Sequence, residues 1–297
     1  MTLTLATTAA GRIDPRSTLG NLLRDSSLEM NARDIDKLEE AAHLILPGTQ
    51  ISITFLPNED FADRVRAAAT VRRLGFLPTP HISARRMKSA SEFESFLADL
   101  ASEAELDRVF VVAGDPPRSE GPYEDALAVI RTGLLGKYGV THVGVAGYPE
   151  GHPDIPRPKL WQALHDKQAV LKDLGHAVSI MTQFGFDADP ILDWLAQLRR
   201  DGVQAPVRVG VAGPTSVKAL LRFAARCGVG TSAKVMAKYG MSITRLLSTA
   251  GPDPIVNDMA LGLDPDIHGQ VLLHLYPFGG FLKTAEWAPA FRRSHGI

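Results

Sequence analysis

A single cysteine, Cys227, occurs in 297 residues. That scarcity excludes an intrachain disulfide and a cysteine-rich metal site, and it fits a reducing compartment. Charge of one sign is missing too: 32 Lys and Arg against 33 Asp and Glu leave a net charge of -1. So balanced a chain has no electrostatic footprint for nucleic acid or an anionic membrane surface. No apolar run reaches the ~18 residues of a membrane helix. The opening stretch MTLTLATTAAGRIDPRS has no basic residues ahead of its apolar ones, as a signal peptide would. These readings predict a cytoplasmic protein. There is no Walker loop, no GxSxG elbow and no GxGxxG after the first strand, so those routes to phosphoryl transfer, hydrolysis and dinucleotide binding lack their signatures. His142, His152 and His165 do not have the spacing of a metal set, and no metal is expected. Cys227, closing the amphipathic RFAARCG, is expected to be a small core residue.

What the sequence does contain is one cycle repeated. Eight short apolar runs read as strands, at 26–30, 49–55, 76–83, 108–115, 142–149, 177–184, 207–213 and 271–278. Helical patterns lie between them, among them PNEDFADRVRAAATVRRLG, SASEFESFLADLASEA, YEDALAVIRTGLL, KLWQALHDKQAVLKDLG and ADPILDWLAQLRRDG. The first has a leading proline, early acids, late arginines and a closing glycine, the expected order of helix punctuation. Strands alternating with helices of ten or more residues specify a parallel sheet, and their Val and Ile content says both faces are covered. Eight repeats predict a closed (β/α)8 barrel of the α/β class, with an open doubly wound sheet as the competitor. The barrel is expected to fill residues 21–297 as one domain after a flexible segment 1–20, with two short extra helices between Ser232 and Gly262. Trp161, Trp194 and Trp287 are assigned to the core; oligomeric state is left open, and a homo-oligomer is allowed.

In such a barrel the C-terminal strand ends converge on one mouth, where polar residues read as catalytic or ligand-binding. Seven of the eight runs deliver one there: Glu29, Thr54, His81, Asp115, the trio Tyr148, Glu150 and His152, Gln183 and Tyr276. The densest stretch is AGYPEGHP (146–153), a phenol, a carboxylate and an imidazole on a Gly/Pro-punctuated turn. Glu29 sits inside apolar SLEM, where a carboxylate must be paired, or protonated and useful. His81 reads equally as a satisfied core imidazole, Asp115 in VAGDPP as a turn residue, and Thr54 as an ordinary strand threonine. Gln183 suits the amide-like edge of a heterocycle.

SLEM, TPHIS, the Gly114–Asp115 pair, AGYPEGHP, TQFGFD and LHLYPF, in this order, resemble the methylenetetrahydrofolate reductases, which are flavin-containing barrels. The resemblance implies interconversion of 5,10-methylenetetrahydrofolate and 5-methyltetrahydrofolate, with NAD(P)H as co-substrate passing hydride to FAD in ping-pong fashion. On that resemblance Glu29 falls at the general acid, Asp115 at the pterin-binding aspartate and Gln183 at the folate-contacting glutamine. Phe184, Phe186 and Tyr276 fall to the folate, and Thr54, His81, Gly114, Asp115, Tyr123, Tyr148 and His152 to the flavin. Lys167 and Lys172 are expected to serve its phosphates.

The sequence also departs from the family pattern. Ala113 stands where an arginine commonly precedes the Gly-Asp pair, the helix after AGYPEGHP aligns only loosely, and Phe278, Gly279 and Gly280 replace an Asn-Arg pair. Three alternatives follow: a flavin-free reductase with direct hydride transfer, a non-catalytic folate-binding barrel, and a Schiff-base lyase. The last lacks a lysine in any strand run.

Overall fold

Each run predicted as a strand forms one in the computed structural model, which describes residues 14–56, 59–227 and 249–297. The strands are β1 (Ser27–Met30), β2 (Gln50–Ile53), β3 (Leu77–Ser83), β4 (Arg108–Val112), β5 (His142–Gly147), β6 (Ala177–Phe184), β7 (Val207–Ala212) and β10 (Val271–Tyr276). They close into a parallel barrel in the order β1-β10-β7-β6-β5-β4-β3-β2. A two-stranded ribbon, β8 (Thr215–Ser216) with β9 (Thr249–Ala250), stands outside it. The (β/α)8 architecture is therefore the one expected, with the open sheet excluded by the β1–β10 pairing.

Helix starts follow their capping chemistry. The Asp60 carboxylate accepts from the Asp63 amide and the Ser89 hydroxyl from the Glu92 amide, opening helices Phe61–Arg73 and Ala90–Ala104. Alternate strand residues turn outward and bury Leu28, Met30, Ile51, Ile53, Val109, Val111, Val143 and Val145 in one core with helix residues such as Phe93, Leu97 and Leu195.

The inward positions are different. Barrels of this kind are normally filled by layers of bulky branched side chains. Here adjacent strands align Glu29 with Ser52 and Thr79, His81 with Phe110, Gly144 and Ser179, and Ser27 with His274 and Gly210. Apart from Phe110 these inward positions are polar or small, and the apolar energy of the fold lies mainly between strands and helices.

Several boundaries differ from expectation. Helix Pro15–Arg24, started by Asp14 and anchored by buried Leu19, Leu22 and Leu23, takes up the last six residues of the segment 1–20 expected to be flexible. The pattern at 123–135 is split into Ala126–Arg131 and Leu134–Lys137 by Gly133, whose φ of 71° stops the first helix. Helix Asp253–Gly262 is one of the two extra helices expected before the last strand; the other, like the Cys227 side chain, falls outside the described residues. Among the described residues, no helix is long and apolar enough to cross a membrane and no group of His, Cys, Asp or Glu is arranged to hold a metal ion.

Gly210 is the tightest of the inward positions. A Cβ there would lie 2.5 Å from the Tyr276 ring and 2.6 Å from the Thr182 carbonyl oxygen, so one strand must move to admit it. Gly210→Ala is expected to lower stability by about 2–3 kcal/mol, read from urea unfolding.

Candidate functional site

The C-terminal mouth is built around Glu29. Its neighbours Leu28 and Met30 anchor β1 in the outer core, which leaves the carboxyl group facing the barrel axis with its side chain 15% exposed. Two imidazoles face it: Nε2 of His81 on β3 and Nε2 of His274 on β10 each lie 3.7 Å from Glu29 Oε2. Among the described residues neither Nε2 has a hydrogen-bond partner of ordinary length. Burial raises the Glu29 pKa to about 7, with His81 opposing the shift, while burial lowers His81 to about 4 and His274 to about 3. Near neutrality the imidazoles are uncharged and the carboxyl exchanges its proton.

His274 and Ser27 escaped the sequence reading. Ser27 Oγ lies 2.8 Å from His274 Nδ1 and 3.4 Å from the Leu273 carbonyl oxygen. When the hydroxyl donates to Nδ1, the ring proton sits on Nε2 and faces a Glu29 carboxylate. When it donates to Leu273 instead, Nδ1 carries the proton and Nε2 can accept from a protonated Glu29. The signal was present, an imidazole inside apolar VLLHLY, the same kind that singled out His81 in TPHIS.

Around this centre the predicted residues divide. Thr54 caps β2 with its amide bound to the Met30 carbonyl, and its buried hydroxyl, like those of Ser52 and Thr79, has no partner among the described residues. The end of β3 is fixed by Arg64, fully buried, which donates to the His81 carbonyl and lies 4.2 Å from the Phe55 ring centroid. In AGYPEGHP, Gly151 at φ 92° closes a turn onto the Tyr148 carbonyl and brings the Tyr148 and His152 rings edge to face at 5.5 Å. Burial raises the Tyr148 pKa. Glu150 and Gln183 line one crevice beside Phe184 and Gly185.

Asp115 is 59% exposed and accepts from Arg86 Nε at 2.9 Å and Nη2 at 2.5 Å. Arg86, missed in the sequence, supplies the guanidinium that Ala113 does not. Gly114, at φ 96°, makes the bend that lifts Asp115 out of β4, and a Cβ there would sit 3.3 Å from Ser83. Opposite lies an aromatic wall. Phe184 and Phe186 are buried against each other at 5.4 Å, while Tyr276, its hydroxyl donating to the Thr182 carbonyl, runs parallel to Phe278 at 5.6 Å and Phe278 stacks on Phe223 at 4.1 Å. Tyr276, Phe278 and Phe223 are the partly exposed rings of this wall.

Three predicted residues are not brought to the mouth. Tyr123 is 7% exposed and packs edge-on against Phe93 in the helix layer. Lys167 is buried within helix Arg157–Asp173, where desolvation lowers its pKa against the pull of Asp125. Lys172 is in the exposed last turn of that helix, which leads into the N-terminal end of β6, on the opposite face of the barrel.

A family model described as methylenetetrahydrofolate reductase matches residues 32–244. Methylenetetrahydrofolate reductase 2 of Saccharomyces cerevisiae is 34% identical over 123 residues, 38% of this chain and 20% of that protein. Methylenetetrahydrofolate reductase (NADH) 1 of Arabidopsis thaliana is 29% identical over 145 residues, 44% of this chain and 24% of that protein. The 5,10-methylenetetrahydrofolate reductase of Pectobacterium carotovorum is 26% identical over 186 residues, 60% and 58% of the two chains. The matched part of the chain thus spans about a fifth to a quarter of the yeast and plant relatives. Among solved structures, a Clostridium thermocellum protein described as binding two copies of 5-methyl-5,6,7,8-tetrahydrofolic acid superposes with a TM-score of 0.59 at 11% identity, covering 92% of this chain and 96% of its own, a likeness of fold. Glu29 and His274 both lie outside the matched span, so their pairing is a finding of geometry.

Holding Glu29 at a raised pKa has a stability consequence. The native state keeps the proton that the unfolded chain releases near pH 4.5, so the Glu29 contribution falls as pH rises from about 4.5 to about 7. Glu29→Gln removes the buried charge and is expected to stabilise the fold by on the order of 3 kcal/mol at pH 8 and by little at pH 5. Urea unfolding of both proteins at the two pH values checks the difference.

Proposed function

The chain belongs to the methylenetetrahydrofolate reductase family, and from that premise we propose that it interconverts 5,10-methylenetetrahydrofolate and 5-methyltetrahydrofolate at the C-terminal mouth. The observation that carries this reading is the Glu29 carboxyl, set between two neutral imidazoles with a pKa of about 7. A proton donor poised at working pH is what opening of the methylene bridge requires. Protonation of the leaving nitrogen breaks its bond to the bridging carbon and leaves an iminium. Hydride from NAD(P)H then completes the methyl group.

The residues at the mouth divide the work. Glu29 gives the proton and recovers it in the reverse direction. His274, oriented by Ser27, adjusts its tautomer to whichever form Glu29 holds. Asp115, its charge anchored by Arg86, takes the guanidine-like edge of the pterin, and Gln183 a neighbouring amide-like edge. Tyr276 and Phe278 provide the face on which a planar ring stacks.

For the cofactor we propose FAD, which when bound supplies a two-electron carrier between nicotinamide and folate. The fit rests on the Thr54 hydroxyl and His81 Nε2, buried and partnerless among the described residues, polar atoms that a heterocycle edge would satisfy, with the Tyr148 and His152 rings at the same mouth after β5. Arg157 and Lys159, in the first turn of helix Arg157–Asp173, suit the diphosphate at a helix N-terminus. Lys172 has no part in this. A second reading, direct hydride transfer from nicotinamide to folate without flavin, is favoured by the same geometry that removes Tyr123 and Lys172 from the mouth.

An anaerobic absorbance spectrum distinguishes the two. Flavin bands that bleach with NADH and return with methylenetetrahydrofolate are the expected result; a colourless protein that oxidises NADH only with folate present selects direct transfer. Glu29→Gln is expected to lower folate turnover about 100-fold or more while leaving the absorbance spectrum of the purified protein unchanged.

A further inference from the structure

The barrel has a second opening. At the N-terminal ends of the strands, opposite Glu29, a cavity of about 460 Å³ runs inward along the axis. It exists because the interior positions there are too small to fill it: Gly144, Ala177 and Ser179 are among its walls. Gly144 is obligatory, since a Cβ would come within 2.8 Å of the Phe110 ring. The volume lies in the range of small-molecule sites and exceeds what a bare ion needs.

Its wall is basic. Arg24, Arg108 and Arg208 line it, with Asp25 as the one carboxylate among the described lining residues. Arg208, on β7, donates to the Asp25 backbone carbonyl. Arg108, on β4, donates to Asp107 at 2.7 Å, but Asp107 is shared with Arg72 at 3.3 Å. Burial lowers the Arg208 pKa to about 10; Asp25 opposes the shift, and Arg108 adds a smaller push downward. Two guanidinium groups on facing strands, one of them largely buried, are a costly way to close a barrel floor, which branched apolar side chains close in most barrels. Deeper in, the Thr79 hydroxyl, on a residue 2% exposed, lines the cavity with no hydrogen-bond partner among the described residues.

We infer that this cavity is a binding site for a small organic anion, its carboxylate or phosphate head held by Arg108 and Arg208 and its body reaching toward Thr79. Arginine forks match either head group in bidentate fashion. The site is separate from the folate mouth, yet Phe110 at its inner end is 4.8 Å from the His81 ring, so an occupant is one ring away from the group facing Glu29.

The test is the unfolding midpoint of the full chain in citrate and in glycerol 3-phosphate, with ionic strength held constant by sodium chloride. At least one anion is expected to raise the midpoint by roughly 5 °C at saturation. The same rise is expected in Glu29→Gln, and its dependence on citrate or on the phosphate ester identifies the head group. It is expected to vanish in Arg208→Gln and in Ala177→Trp, which blocks the opening from an exposed position and leaves every arginine in place. No rise with either anion, or a rise that survives either substitution, overturns the assignment.

Discussion

The constraint on which the site depends is the cost of ionising one carboxyl inside a barrel. Among the described residues the side chains paired with the Glu29 carboxyl within 4 Å are two imidazoles that burial keeps neutral, not a lysine or arginine. A lysine or arginine in either place would hold the carboxylate ionised and abolish its use as an acid. The pair of histidines offers hydrogen-bonding capacity without a full charge, and the downward pull of His81 on the Glu29 pKa is outweighed by burial. The interior is arranged to suit: Ser52, Thr79, Gly144 and Gly210 occupy positions that branched residues fill in most barrels, leaving space on the axis and stability to the strand–helix layer.

That arrangement divides the molecule into two mouths with different chemistry. The C-terminal mouth gathers a neutral acid, an aspartate held by Arg86 and a parallel pair of rings, a set suited to a flat, polar-edged, cation-forming substrate. The N-terminal mouth gathers guanidinium groups around a hollow, a set suited to an anion. The family match covers residues 32–244 and so omits β1 and β10, the two strands whose pairing closes the barrel and brings Glu29 to His274. The element that completes the fold also completes the acid site.

Most of the fold was legible because it depends on local pattern. Strand and helix periods, caps at Asp60 and Ser89 and the eightfold repetition fixed the barrel. Glu29 and His81 were legible because a polar group within an apolar strand is costly and calls for a reason. What stayed hidden depends on which strand lies beside which: His274 gains meaning only from the closure of β10 on β1, and Arg86 only from the distance between the ends of β3 and β4. Lys172 was misplaced because the resemblance supplies a position on a helix, whereas the direction of that helix carries its last turn away from the mouth. Tyr123 was misplaced because its loop folds back under Met87 and Lys88, where Gly121 meets their backbone, and carries the ring into the helix layer.

The acid role requires Glu29 to hold its proton into the neutral range. Its titration can be followed directly, by ¹³C NMR of glutamate side-chain carboxyl carbons, with the Glu29 resonance identified as the one missing from Glu29→Gln. A midpoint near 7 is the predicted result. A midpoint near 4.5, the ordinary glutamate value, would mean that the imidazoles or water stabilise the carboxylate, and would contradict the acid role on which the proposed function rests.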